Sequence, residues 1–300
     1  MLGVSRTFDS LRPPHRETFL FVLALSVGVV CSPNLLAAQT LSSAPDFSGQ
    51  WVRVGRYAES FDPPPSGPGP ITIDPAHPHR RGVAGAQSPD GWVADLTNPI
   101  LKPETLAKMK PIVAAEIAGH SHLKLIDMCY PPGVPMILNQ RDPIQILQSA
   151  KEVTFIYSRD SLTRHIYLNQ PHAQNLQHTW YGESVGHYEG DTLVVDTVGE
   201  NDKTYTDRFF TPHSDGIHVV ERYKVSPDRK GMQVLITVDD PSTFAMPWSA
   251  QVSYGADNTP YEEIVCPENN RGFDTKPISE NNRVSGSYPI SIPVAAKADF

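Results

Sequence analysis

The sequence predicts a mainly β protein: a single antiparallel barrel or sandwich with one or two short helices and Pro-rich irregular segments. Three observations carry that expectation. From Lys151 onward the chain is a succession of short β-branched or aromatic runs, "VTFIYS", "RHIYLN", "DTLVVDTVG", "IHVVERYKVS", "MQVLITVDD", "AQVSYG" and "YEEIVC", parted by Gly, Asp, Asn and Pro. Only one stretch has helical character. No strand–helix–strand alternation occurs, so a parallel sheet would lack helices to cover it.

In chain order, residues 1–38 read as a secretory signal peptide. Arg6, Arg12 and Arg16 form a basic leader, Phe19 to Val30 an apolar run, and Leu36-Ala37-Ala38 a small-residue cleavage site before Gln39. The uninterrupted apolar core is shorter than the roughly 20 residues a spanning helix needs, and Ser32-Pro33-Asn34 breaks it. A lipoprotein signal would want a small residue where Val30 precedes Cys31. The expectation is a periplasmic or secreted protein with no stable membrane insertion after cleavage, its residues 39–300 forming one β-rich domain.

Residues 60–100, including "FDPPPSGPGPITIDPAHPHRRG", are too rich in Pro and Gly for regular helix and predict an irregular wrap. The helical stretch is "KPETLAKMKPIVAAEIAGHSH" from Lys102, where Pro103 suits a helix start and Pro111 predicts an end or a kink. "CYPPGVPMILNQRDP" is irregular again, "EGDT" and "SPDRKG" are hairpin turns, and residues 270–300 form an irregular tail.

Charge and cysteines narrow the function. Without residues 1–38 the chain keeps 22 Lys+Arg against 31 Asp+Glu and no basic cluster. Nucleic acid and anionic membranes both require a positive patch, so neither is an expected partner. Cys129 and Cys266 remain after the leader, an even pair that reads as a disulfide in an oxidising compartment. No dinucleotide fingerprint, P-loop or haem motif is present, so no organic cofactor is expected. No metal site is expected either: the i,i+2 pairs His77/His79 and His120/His122 lack the third and fourth ligands of a metal centre.

One motif points elsewhere and fails on context. Gly182-Glu183-Ser184-Val185-Gly186 matches the G-x-S-x-G pattern of serine hydrolases. A nucleophile elbow needs a strand before the Ser and a helix after it. Here "VGHYEGDTLVVDT" follows, a strand end, a turn and another strand. Ser184 is therefore not expected to be a nucleophile, and Gly182 and Gly186 are expected to mark bulges or close backbone approach.

Several separated blocks resemble a large family of secreted bacterial proteins of unknown function: "PDFSGQW" (45–51), "CYPPGVP" (129–135), "GESVGHYEGDTLVVDT" (182–197), "PHSDGIHVVERY" (212–223), "VDDPSTFAMPW" (238–248) and "EEIVCPENN" (262–270). The chain departs from that pattern at His187-Tyr188, where the family commonly has a polar residue and Trp, and residues 60–100 find no clear counterpart. The resemblance implies export and fold more than activity. Phe47-Ser48-Gly49-Gln50-Trp51 is also similar to the opening strand of lipocalin-like calycin barrels, which implies a Trp plugging one barrel end.

The period of two singles out one carboxylate. Ile217, Val219, Glu221, Tyr223 and Val225 share a strand face that is apolar apart from Glu221. A buried carboxylate must be paired, hydrogen-bonded or protonated. Glu221 is thus either a general acid or base or the partner of an inward Arg such as Arg164. His213 and His172, on loops flanking strands, are candidate catalytic assistants. Tyr223, Arg164, His187, Trp180 and Asp240 are candidate binding residues, and Asp240 fits an Asx-turn as well as a His partner. Glu263, on the face of Tyr261 and Val265, is a second candidate inward carboxylate.

The expected function is an exported protein handling a small, mostly apolar molecule inside the barrel. The leading reading is a cofactor-independent acid–base enzyme of the lyase, isomerase or hydratase kind. The alternatives are a non-catalytic periplasmic binding or carrier protein, and a structural envelope protein whose barrel is filled by side chains.

Overall fold

The structure is a computed structural model that describes residues 44–55, 60–78, 92–118 and 124–266. The expected leader, the tail of residues 270–300, and His79, His120 and His122 lie outside them. Nine strands close into a barrel in sequence order: β1 (Gly49–Val54), β2 (Ile144–Gln148), β3 (Glu152–Tyr157), β4 (Thr163–Leu168), β5 (Glu183–Glu189), β6 (Thr192–Val198), β7 (His218–Val225), β8 (Gly231–Asp239) and β9 (Trp248–Ala256), with β9 returning to β1. Closure removes the sheet edges that a nine-stranded sandwich would expose.

One expectation is corrected. Strands β4 and β5 run parallel, with Ile166 opposite Ser184 and Leu168 opposite Gly186, whereas the other neighbours are antiparallel. The reason is topological: nine strand directions cannot alternate around a closed ring, so one pair must agree. The long segment 169–182 makes the crossover that a hairpin could not.

The register gives the barrel two unlike ends. At one end lie the tight β2–β3, β5–β6 and β7–β8 hairpins, and the Trp51 indole nitrogen donates to the Phe47 carbonyl (3.0 Å) from inside β1. The other end carries every long connection that leaves and returns on the same side: 55–143, 199–217 and 240–247. There the Pro-rich wrap takes over from β1. Arg53 and Val54 pair with Tyr254 and Ser253, and beyond them Asp62 bridges Gln251 while Ser249 donates to the Pro68 carbonyl (3.0 Å). The wrap then forms a short ladder with residues 93–95 through Ile73 and Ala94.

Helix α1 (Pro103–Ile117) lies over this elaborated end, with the Thr105 hydroxyl donating to the Thr243 carbonyl (2.7 Å). It continues through Pro111, where an end or kink was expected. Met109 and Val113 are buried on either side of Pro111, which is itself exposed. A prolyl interruption costing about 3 kcal/mol is offset by burial of that face. Two other readings are corrected. "IQILQ" forms β2, which its mixed polar sequence did not announce, and "YEEIVC" forms only an isolated bridge at Ile264, leaving Glu263 exposed. Those residues follow β9, after the ring has closed, so no strand position remains for them.

Alternation fills the interior. Trp51, Phe155, Tyr157, Tyr223, Trp248 and Tyr254 are buried, among shorter aliphatic residues of β2, β6 and β8. Ile217, Val219, Glu221 and Tyr223 face inward together, as their spacing predicts, while His218, Arg222 and Lys224 face out. The disulfide joins Cys129 to Cys266 across 137 residues. It ties the connection before β2 to the segment after β9.

Candidate functional site

Glu221 is completely buried and meets Arg164 from β4 across the barrel. The guanidinium donates from Nη1 to Oε1 (2.9 Å) and from Nη2 to Oε2, so the pair is bidentate. The Tyr223 hydroxyl donates to Glu221 Oε1 (2.7 Å), and Arg164 also donates to Ser184 Oγ (3.1 Å) and Thr197 Oγ1 (2.8 Å). Burial opposes the charge on Arg164, but the facing Glu221 carboxylate outweighs it and holds the guanidinium protonated. Ser184, the centre of the hydrolase-like motif, thus sits inside the barrel as a guanidinium ligand. Gly186 permits this packing: a Cβ there would lie 2.9 Å from Ile166 Cγ2 and 3.1 Å from the Val194 carbonyl.

His213 belongs to a separate cluster in the loops of the elaborated end. Its Nε2 lies 2.6 Å from Thr204 Oγ1 and 3.3 Å from Glu200 Oε1, and its Nδ1 lies 2.8 Å from the Ser214 carbonyl. The Thr204 hydroxyl donates to Glu200 Oε1 (2.7 Å), and Glu200 Oε2 accepts from the Val134 amide (2.6 Å). With the Thr204 hydroxyl donating to Glu200, both imidazole nitrogens face acceptors, and the imidazolium satisfies both. Burial pushes the His213 pKa down, yet Glu200 and the Ser214 carbonyl outweigh it and raise it above the ordinary 6.5. The cluster fastens the "CYPPGVP" loop to the loop before β7. Gly133, at φ +80°, makes room: a Cβ there would lie 2.6 Å from Thr204 Cβ and 2.8 Å from Glu200 Oε1.

This coupling has a sign. A raised histidine pKa contributes stability fully present below about pH 6.5 and lost as pH rises through the folded-state value. Unfolding free energy should therefore fall with rising pH above neutrality, more steeply in the wild type than in His213→Gln. Urea titrations at several pH values measure both slopes; equal slopes would show that His213 is not charged in the fold.

Asp240 is the anchor of the neighbouring turn rather than a direct His213 partner. Its carboxylate accepts from the Ser214 amide (2.7 Å) and hydroxyl (2.8 Å) and from the Ser242 amide (3.1 Å). Burial raises its pKa, and these donors together with Thr243 outweigh that and lower it.

The other sequence candidates do not join these groups. His172 bonds Glu183 (3.0 Å) and Asp196 (3.1 Å), and His218 reaches the same Asp196 oxygen (2.9 Å), all on the outer face of β5–β7. His187 is exposed beside Glu189. Trp180 stacks on Tyr130 (centroids 5.7 Å apart), with the Lys203 ammonium 5.9 Å from its ring. Among the described residues, no three His, Cys, Asp or Glu side chains are placed to share a metal ion.

Further groups at this end were not legible beforehand. The hydroxyls of Tyr157 and Tyr181 and both amide atoms of Asn139 are buried without hydrogen-bond partners, as are Ser158 Oγ, Thr211 Oγ1 and the Trp248 indole nitrogen. All belong to the elaborated end. Asp207 is also buried in a loop, and burial raises its pKa to about 6 despite hydrogen bonds from the Thr211 and Phe209 amides. None of these residues stands on a periodic strand face with an odd polar member, the signal that exposed Glu221.

Outside the filled barrel lies a cleft of about 530 Å³ between the wrap and the loop before β7. Phe61, Pro63, Ile71, Ile73 and Phe209 line it, with Asp62 and Asp74 as its carboxylates. Asp62 lies 3.6 Å from Arg53, and Asp74 bonds His77 Nδ1 (2.7 Å). Fold and site together define a closed β-barrel protein with one elaborated end and a small-molecule-sized cleft beside it. No protein-family model matches the chain, and a search of curated proteins finds no match.

Proposed function

We propose that this is an exported protein that binds a small, largely apolar molecule without transforming it, and that the ligand lies in the cleft under the Pro-rich wrap. The observation that carries this reading is the cleft itself: about 530 Å³, mostly apolar, with two carboxylates at fixed positions. That is the size and lining of a ligand pocket, whereas the barrel interior is occupied by large side chains. The leader-like N-terminus and the disulfide support a periplasmic or secreted setting.

The acid–base reading asks Glu221 to exchange a proton with substrate. Both of its oxygens are engaged by Arg164, and Tyr223 donates to one of them. A carboxylate this deeply buried, with both oxygens engaged by protein donors, lies out of reach of a substrate. The geometry supports binding better.

Native mass spectrometry of residues 39–300, exported to a periplasm and kept unreduced, tests the proposal. A retained organic mass is expected, and it should be released unaltered after prolonged incubation. Phe209→Ala, which removes an aromatic wall of the cleft, should weaken retention about tenfold or more, as loss of one large apolar contact does. Product formation, or retention indifferent to Phe209, would refute this reading.

A further inference from the structure

The connection from β6 to β7 (199–217) doubles back on itself as a small hairpin. Tyr205 lies opposite Pro212, and the Thr206 amide donates to the Thr211 carbonyl (3.0 Å). Phe209 stands near its tip, buried against the edge of Trp92 (centroids 6.3 Å apart), and forms one wall of the apolar cleft. Given the ligand-binding reading above, on which this rests, we propose that the hairpin is a proton-responsive wall of the cleft. It holds the ligand tightly in mildly acidic medium and loosens its hold in mildly alkaline medium.

A titratable side chain stands at each end of the hairpin. At the base, Glu200 and Thr204 on one arm meet His213 on the other, with Glu200 Oε1 3.3 Å and Thr204 Oγ1 2.6 Å from His213 Nε2. At the tip, buried Asp207 shapes the turn. Its Oδ1 accepts from the Phe209 amide (2.8 Å) and the Thr211 amide (3.3 Å), and its Oδ2 from the Thr206 hydroxyl (3.4 Å). The main chain of the wall residue thus hangs directly on the Asp207 carboxyl group.

The charged groups facing these two come from several elements. His213 meets Glu200 from its own connection and Asp240 from the one between β8 and β9. Tyr181, from the crossover before β5, faces Glu200 but stays neutral, because burial pushes its pKa up. Lys124, Tyr205 and Arg208 line the small pocket beside Asp207, and both of these cations have contacts of their own.

The two groups act with the same sign. Burial raises the Asp207 pKa from the ordinary 3.8 to about 6, so its protonated form favours the hairpin, and that contribution fades as pH climbs to about 6. His213, raised above 6.5, continues the trend: its contribution is lost as pH climbs through the raised value. The hold on Phe209 therefore weakens from mild acid to mild alkali. Apparent affinity falls with the fraction of molecules whose wall is in place.

The test uses disulfide-intact residues 39–300 and N-phenyl-1-naphthylamine, an apolar fluorophore that stays uncharged over the range. Its Kd should rise about fivefold or more between about pH 5 and about pH 9. Asp207→Asn keeps an acceptor for both amides but never ionises, and should flatten the profile below neutrality. His213→Gln should flatten it above. Asp62 and Asp74, with His77 beside the latter, also stand at the cleft, so flattening in the variants is the decisive readout. Urea midpoints at pH 6 report whether each variant is folded; if His213→Gln is not, Asp207→Asn carries the comparison alone. A Kd that ignores pH yet weakens on Phe209→Ala would overturn proton control and leave the binding reading standing. An equal slope in wild type and both variants would do the same. Probe binding that is absent, or indifferent to Phe209→Ala, would overturn the binding reading and this proposal with it.

Discussion

Arg164→Met should destabilise the protein by about 3–5 kcal/mol, the cost of leaving one member of a buried ion pair without its partner. The substitution strands Glu221, which lies wholly inside the barrel with Tyr223 as its one remaining donor. Ser184 and Thr197 also lose a shared donor, though they retain each other at 2.9 Å. The companion change decides the interpretation. Arg164→Met combined with Glu221→Leu removes both charges and should cost less than the single change, because apolar residues of similar volume replace a buried pair nearly neutrally. Urea unfolding of wild type, both single variants and the double closes the cycle. A double variant as unstable as the sum of the singles would mean that the two charges are not coupled.

Removing the disulfide is the second large effect. Cys129→Ser/Cys266→Ser should lose about 4–5 kcal/mol relative to the oxidised protein, the chain-entropy expectation for a loop well over 100 residues long. The bond encloses β2 to β9, so its effect falls mainly on the unfolded chain, which gains freedom throughout the barrel. Equilibrium unfolding of the double-serine variant measures this against oxidised wild type. A loss below 1 kcal/mol would show that the native contacts around residue 129 relax on oxidation and cancel the gain.

These two effects rest on features that the sequence discloses unequally. Glu221 was visible because a strand of period two has one polar residue on an apolar face, and Arg164 was already its natural partner. The cysteine pair was visible by elimination. The β5–β6 and β7–β8 hairpins announced themselves through Gly190 and the Asp228 turn. By contrast, β2 mixes Ile and Leu with Gln without strict alternation, and its assignment depends on β1 and β3 lying to either side. Strand parity around the ring, which forces at least one neighbouring pair to run parallel, is a global property that no local window contains. Glu200 meets His213 only because two long loops fold over the same end. His172 and His187, equally plausible from their loop and strand-end positions, emerge on the outside instead. Convergence of side chains from separate connections is the part of the site that period and composition cannot encode.

The ring also closes between the two ends of the chain. Strand β1 is flanked by β2 and β9, and its Trp51 pairs with Ala256, so the barrel is incomplete until residue 256 is in place. Contacts this distant in sequence cost loop-closure entropy before they return any stabilisation, which makes folding slow and leaves open edges until the last strand docks. A nascent chain therefore cannot complete the barrel while its C-terminal part is still being synthesised.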